Sequence, residues 1–170
     1  MTIATQWAWK ANDKIKSKKE CIQTLLQTVG GDGNLLFNVG PMADGRIEKR
    51  QVDRLKEIGD WLNINGEAVY GTRGGPYLPT NYMVSTRKGN KIYLHLFNAP
   101  KANLTLPFPK GVKIKNAYFL QDGQVVKIDK NKSSIIINLP ESLPDVVASV
   151  VVLELDKLAM EIDVWQRINY

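Results

Sequence analysis

Residues able to do acid–base or nucleophilic chemistry are scarce in this chain of 170 residues, and that scarcity is the first constraint on its function. His95 is the only histidine and Cys21 the only cysteine. An imidazole titrates near neutral pH and could serve as a general base. No carboxylate or nucleophile stands at a recognisable spacing from His95, so it reads as a structural histidine. One cysteine builds neither a disulfide framework nor a thiolate metal site, and it leaves the redox compartment open.

The segment from Gly30 reads GGDGNLLFNVGPMADGRI. Leu35, Leu36, Phe37 and Val39 do not alternate with polar residues, as a strand covered on both faces would not. Such strands belong mainly to parallel sheets, where ligands bind in the loops after the strands' carboxyl ends. A polar side chain in a dry strand needs hydrogen-bond partners. Asn38 is therefore expected to order the strand-to-loop turn or a neighbouring pocket residue. Gly40-Pro41 and Asp44-Gly45 read as turn chemistry at that ligand face. The glycines of GGDGNLLFNVG mimic a phosphate-binding loop only weakly, because they precede the strand instead of joining it to a helix.

Positioning these residues requires elements that the pattern supplies. Ser17 and Glu20 form an S-x-x-E capping box, and Ile22, Leu25, Leu26 and Val29 follow on one helical face. Gly30 and Gly31 are expected to give that helix a left-handed stop, and Asp32-Gly33 to turn the chain into a strand over 34–39. A second helix starts near Glu48, turns Val52, Leu55, Ile58 and Leu62 inward, and stops at Asn65-Gly66. Trp61 lies beside its apolar stripe and reads as core. The first seventy residues thus read strand, helix, strand, helix. After Gly74-Gly75-Pro76 alternation takes over, with Ile92, Leu94 and Leu96 pointing one way and Tyr93, His95 and Phe97 the other. Runs at 82–87, 91–97, 112–120, 124–128, 133–139 and 147–155, separated by turns such as Lys88-Gly89-Asn90 and Asp122-Gly123, predict an antiparallel sandwich. Beyond Asp156 little pattern remains except Ile162, Val164 and Trp165.

Composition narrows the partners. The hydrophobic content of 44% and charged content of 24% are ordinary for a globular protein. The formal charge is +6, yet only IKSKK near Lys16 clusters, and no basic stripe is interleaved with aromatics. No nucleic-acid partner is expected. No apolar run approaches the roughly 20 residues that span a bilayer, so no membrane partner is expected either. The N-terminus shows no signal-peptide pattern, an observation of little weight if Met1 is not the natural start.

Two βα units cannot cover both faces of a parallel sheet. The expected fold class is therefore α/β plus all-β: residues 1–74 as the last βα units of an incomplete (β/α)8-type barrel, followed over 75–170 by an antiparallel β-sandwich with a C-terminal tail.

Three segments carry a resemblance: QWAWKAND, SKKECIQTLLQTVGGDGNLLFNVGPMADGRI and LKEIGDWLNINGEAVYGTRGG. Over about residues 5–75 they resemble the C-terminal end of the catalytic barrel of α-L-fucosidases, glycoside hydrolase family twenty-nine, whose members commonly append a β-sandwich. Glu48 departs from the pattern, since the family usually has proline there; both residue types suit a helix's first turn. The resemblance implies retaining hydrolysis of terminal α-L-fucosyl residues by two carboxyl groups, with fucosylated glycans or fucosides as substrates. It implies no cofactor and no metal. The family's nucleophilic aspartate, acid/base glutamate and sugar-gripping histidines lie upstream of the matched region, so no catalytic residue is assigned here and the chain alone is expected to be inactive.

What the resemblance assigns is a wall of the site. Trp7 corresponds to an aromatic lining the fucose pocket, and Trp9, two residues along, shares that direction or packs on the barrel rim. Asn38 supports the site, while Glu67 and Tyr70 face away from it, toward the sandwich. Relatives of this kind are mostly exported (periplasmic, extracellular or lysosomal), but the compartment of this chain stays open, as does homo-oligomerisation. The alternative is a carbohydrate-binding or structural β-sandwich module, which would display Tyr77, Tyr82, Tyr93, Tyr118 or Phe119 on one sheet face.

Overall fold

Two helices lie against one face of a two-sheet β-sandwich in the structure, a computed structural model that describes residues 1–97 and 103–164. Helix α1 spans Lys18–Gly30 and helix α2 spans Lys49–Asn65. The strands are β1 (Arg73–Gly74), β2 (Met83–Lys88), β3 (Lys91–Leu96), β4 (Asn103–Pro107), β5 (Ile114–Phe119), β6 (Ile128–Lys130), β7 (Ser134–Asn138) and β8 (Ser149–Leu155). They form a five-stranded sheet ordered β1-β2-β3-β8-β5 and a three-stranded sheet ordered β4-β7-β6. Every pairing within these sheets is antiparallel. The expected sandwich is therefore present; Trp165 and the rest of the tail lie outside the described residues.

Alternation along β3 divides two cores. Ile92, Leu94 and Leu96 join Leu104, Leu106, Phe119, Ile135, Ile137, Val151 and Leu153 between the sheets. Tyr93 and Phe97 point the other way and meet Ile22, Leu26, Trp61, Val84, Val150 and Val152 beneath the helices. Strands β2, β3 and β8 are consequently buried on both faces, although they are antiparallel.

The capping box at Ser17 forms as expected: the Glu20 amide donates to the serine Oγ at 3.2 Å, and the Ser17 amide donates to Glu20 Oε2 at 2.7 Å. The other end of α1 departs from expectation. Gly31 has φ −81°, and the left-handed residue is Asp32 at φ 61°. The glycines there answer a packing demand. A Cβ on Gly30 would lie 2.7 Å from Val84 Cβ, and one on Gly74 would lie 2.6 Å from both the Asp32 nitrogen and the Gly30 oxygen. The GGDG turn is pressed against β1 and β2, and Asp32 seals the contact by accepting from Arg73 and from the Gly74 amide at 2.9 Å.

Helix α2 ends where expected but faces differently. Leu55 is exposed, while Gln51, Trp61 and Asn65 are buried and Ile58 and Leu62 pack partly against the cores. Among the described residues Trp61 is the largest fully buried side chain. Two strands escaped the pattern: β1, with two residues, and β4, whose Leu104–Leu106 alternation is short and closes on Pro107. The run at 124–128 makes only an isolated bridge, Tyr118 to Val125, before β6 begins at Ile128.

Residues 34–39 do not form the expected full strand. They run beside the N-terminus in a short parallel pairing: Met1 nitrogen to Leu36 oxygen at 2.8 Å, Asn38 nitrogen to Met1 oxygen at 2.8 Å, and Ile3 nitrogen to Asn38 oxygen at 3.0 Å. Leu36 is 73% exposed, so the run is not covered on both faces. Ile3, Ala4 and Cys21, with Ile15, Phe37, Val39 and Ile58 around them, form a small third core below it.

Gly74→Ala forces the GGDG turn away from β1 and is expected to lower unfolding stability by about 1–3 kcal/mol, the range for overpacking a tight contact. Gly89→Ala lies in open space, where only its left-handed backbone (φ 56°) is penalised, and should cost less. Urea unfolding of both variants checks the ranking.

Candidate functional site

A loop carrying two tryptophans rises from the parallel pairing. The pairing of Thr2 with Asn38 ends at Ala4, which bridges Ile15, and residues 5–13 then bulge outward. Asp13 gathers the base of this loop: its carboxylate accepts from the Thr5 amide at 3.1 Å, the Gln6 amide at 3.0 Å and the Lys14 amide at 2.9 Å, and from the Thr5 hydroxyl. The Thr5 hydroxyl above all, then the backbone amides, holds the Asp13 carboxyl below the usual aspartate range.

Asn38 does what a polar group in that position must. Its Nδ2 donates to the Trp7 carbonyl at 2.7 Å and to Thr2 Oγ1 at 3.4 Å. Trp7, in the loop that leaves the pairing, is therefore tied to Asn38 within it. Trp7 is 63% exposed, with its indole turned to solvent. Trp9 is partly buried, and its Nε1 donates to Glu48 Oε2 at 2.9 Å.

Gly40 has a role beyond the turn. A Cβ there would stand 2.5 Å from the Trp9 nitrogen and 3.0 Å from its Cα. Only glycine lets the GPMADG loop slide under the tryptophan loop. Asp44 binds Arg46 across the tip, and the Met42 amide donates to the Arg46 carbonyl at 2.8 Å. Sequence reasoning read Gly40 as a turn residue; the steric role is invisible without knowing that Trp9 lies above it. Likewise Asp13 was missed, because a loop-organising aspartate has no spacing signature.

The other candidates resolve into structure. His95 is fully buried in β3, its Nε2 lies 3.0 Å from Thr86 Oγ1, and burial pushes its pKa down to about 3. It is neutral at physiological pH and cannot reach a ligand. Burial pushes the Cys21 thiol up, away from reactivity. Glu67 meets the sandwich as expected, accepting from Lys91 at 2.7 Å and Tyr93 at 2.8 Å, whereas the Tyr70 side chain is exposed. Of the aromatics a binding module would display, Tyr77, Tyr93 and Phe119 are buried, and Tyr82 and Tyr118 are partly buried against the cores.

Comparison with known proteins places this arrangement in a class. Residues 1–67 match the family profile described as alpha-L-fucosidase. The α-L-fucosidase of Dictyostelium discoideum is 37% identical over 138 residues, which are 74% of this chain and 29% of that protein. The human tissue α-L-fucosidase is 30% identical over 152 residues, 83% of this chain and 32% of that protein. Among solved structures, α-L-fucosidase isoenzyme 1 from Paenibacillus thiaminolyticus superposes with a TM-score of 0.83 at 31% identity, covering 92% of this chain and 39% of that one. An α-L-fucosidase from Bacteroides thetaiotaomicron gives a TM-score of 0.81 at 26% identity, with coverages of 92% and 37%. In sequence and in fold the chain is thus similar to α-L-fucosidases, a class of glycosidases.

Within that class the chain is a partial-length relative of the α-L-fucosidases and matches their carboxyl-terminal part. It spans about a third of the curated relatives' length.

Two predictions follow from this geometry. Asn38→Ala removes the bond to the Trp7 carbonyl and should cost about 1 kcal/mol, with faster proteolytic nicking at residues 5–13 as the more sensitive readout. His95 has its folded pKa below the unfolded value of about 6.5, so its contribution is complete above pH 6.5. Stability should fall by up to about 1.4 kcal/mol per pH unit below that, towards pH 3. His95→Gln should flatten this stretch of the curve of unfolding free energy against pH.

Proposed function

We propose that this chain forms the downstream wall of an α-L-fucosidase active site and carries the accessory sandwich behind it. The observation that carries the reading is Trp7: a large apolar side chain, 63% exposed, held through its own backbone by Asn38. An indole presented in this way suits stacking against the apolar face of a sugar. Residues 1–74 are read as the closing βα units of a (β/α)8-type barrel and residues 75–170 as the sandwich. The parallel pairing of Thr2 with Asn38, followed by α1 and then α2, supports the first part. The exposed Leu36 supports it too, as a side chain awaiting a neighbouring strand.

The chemistry is that of a retaining glycosidase. One carboxylate attacks the anomeric carbon, a second carboxyl group protonates the leaving oxygen, and water then releases the covalent fucosyl intermediate. Both carboxyl groups are assigned to the part of the relatives' length that this chain does not span. The substrates are fucosides and fucosylated glycans.

A chromogenic aryl α-L-fucoside tests the proposal. The purified 170-residue chain should show no turnover, since double displacement needs two carboxyl groups about 5 Å apart. Joined to the upstream barrel of a relative, it should regain activity, and Trp7→Ala in that enzyme should lower kcat/KM at least tenfold. Saturable turnover by the chain alone, or an unimpaired Trp7→Ala enzyme, would overturn the assignment.

A further inference from the structure

We infer that Glu48 is a positioning residue that clamps the tryptophan loop by holding the indole of Trp9. This rests on the reading of the loop as a pocket wall. Glu48 occupies the N-cap position of α2, yet its side chain makes no capping bond. Glutamate is a poor N-cap, and here both carboxylate oxygens are used elsewhere. Oε2 accepts the Trp9 indole N–H at 2.9 Å, while Oε1 pairs with Arg50. The Arg50 guanidinium in turn donates to the Asp13 carbonyl at 3.1 Å.

The result is a chain of contacts from the apex of the loop to its closing residue: Trp9, Glu48, Arg50, Asp13. Gly40 fills the remaining side, its backbone pressed against Trp9. The loop is thus gripped between α2 and the GPMADG turn. The Glu48 side chain is 18% exposed, dry enough for a charge-assisted bond to the indole to have real strength. Arg50 and the indole hold the Glu48 carboxyl below the usual glutamate range, opposed by desolvation and by Asp13, the other acid facing the pair.

A division of labour follows. The Trp9 indole has spent its only donor on Glu48, so the side chain has no N–H to offer a sugar hydroxyl.

Nitrogen-15 correlation spectra of the 170-residue chain, with the Trp9 indole assigned through Trp9→Phe, test the clamp directly. Glu48→Ala should move the Trp9 indole resonance and speed its hydrogen exchange at least tenfold, with the Trp61 indole unchanged as a control on folding. Glu48→Gln keeps a neutral acceptor and should recover part of the protection. In the unmutated chain the Trp9 indole should also shift on acidification as Glu48 protonates, at a pH below that of an exposed glutamate; this readout needs no variant to fold. A Trp9 indole that exchanges equally fast with and without Glu48, or does not respond to acid, overturns the clamp. Neither outcome touches the fucoside assay: an unimpaired Trp7→Ala enzyme with a protected Trp9 indole would refute the sugar wall and leave the clamp standing.

Discussion

Everything in this molecule is built on the burial of one antiparallel sheet from both sides. Strands β2, β3 and β8 have the small sheet beneath them and α1 and α2 above. Fully burying a side chain such as Ile22 or Leu26 contributes about 1.5–3 kcal/mol, and those residues have no other place to go. The close fit of Gly30 over Val84 and of Gly74 over Asp32 sets the distance at which α1 sits. The Asp32–Arg73 pair is exposed at both side chains, and exposed pairs contribute about 0–1 kcal/mol. Apolar burial therefore supplies the energy of this contact, and the ion pair with its bond to the Gly74 amide supplies its register. Gln23 and Gln27 add direction, donating to the Val147 and Thr80 carbonyls at 2.8 and 2.7 Å.

From that contact the candidate site inherits its position. Helix α1 enters with Lys16, whose ammonium group donates to the Thr2 and Ala4 carbonyls at 2.8 and 3.0 Å, and leaves through the GGDG turn, which leads to Asn38. The two segments that meet at the tryptophan loop are thus the two ends of the same helix's connections. Once the sheet fixes α1, it fixes Met1–Ala4 on one side and residues 34–39 on the other.

Much of the arrangement was legible in the residues, and the exceptions have physical causes. The capping box is local chemistry and was read correctly from Ser17 and Glu20. The two faces of β3 were legible because alternation survives when each face enters a different core. What misled was the inference from non-alternation to a parallel strand. VVVL in β8 is a doubly covered run in an antiparallel sheet, while LLF at 35–37 keeps Leu36 exposed. Periodicity reports how many faces a segment is meant to bury and is silent about strand direction and about which neighbour does the covering. On α2 the inner face carries Trp61, and Leu55 is left exposed. Gly40, Asp13 and the Glu48 side chain were illegible for a common reason: each acts on a partner distant in sequence, or on backbone atoms that carry no residue signature.

The supports of the tryptophan loop share one feature that separates function from stability. Asn38 holds a carbonyl, Asp13 holds amides, and Gly40 lies against a backbone nitrogen and Cα. Asp13 also takes the Thr5 hydroxyl and Asn38 the Thr2 hydroxyl, but of these supports only Glu48 takes hold of a tryptophan side chain, that of Trp9. Because the loop's shape is fixed through the main chain, the Trp7 indole is relieved of any structural duty, and an exposed apolar side chain without structural duty is a net cost in water. Its exposure fits the pocket-wall role proposed for it. A wall residue of a sugar pocket needs this combination, a rigid backbone beneath an uncommitted ring, since preorganisation spares the ordering entropy that binding would otherwise have to overcome. The same logic explains why the clamp falls on Trp9: two residues further along, it can be anchored through its indole without consuming the face that Trp7 presents.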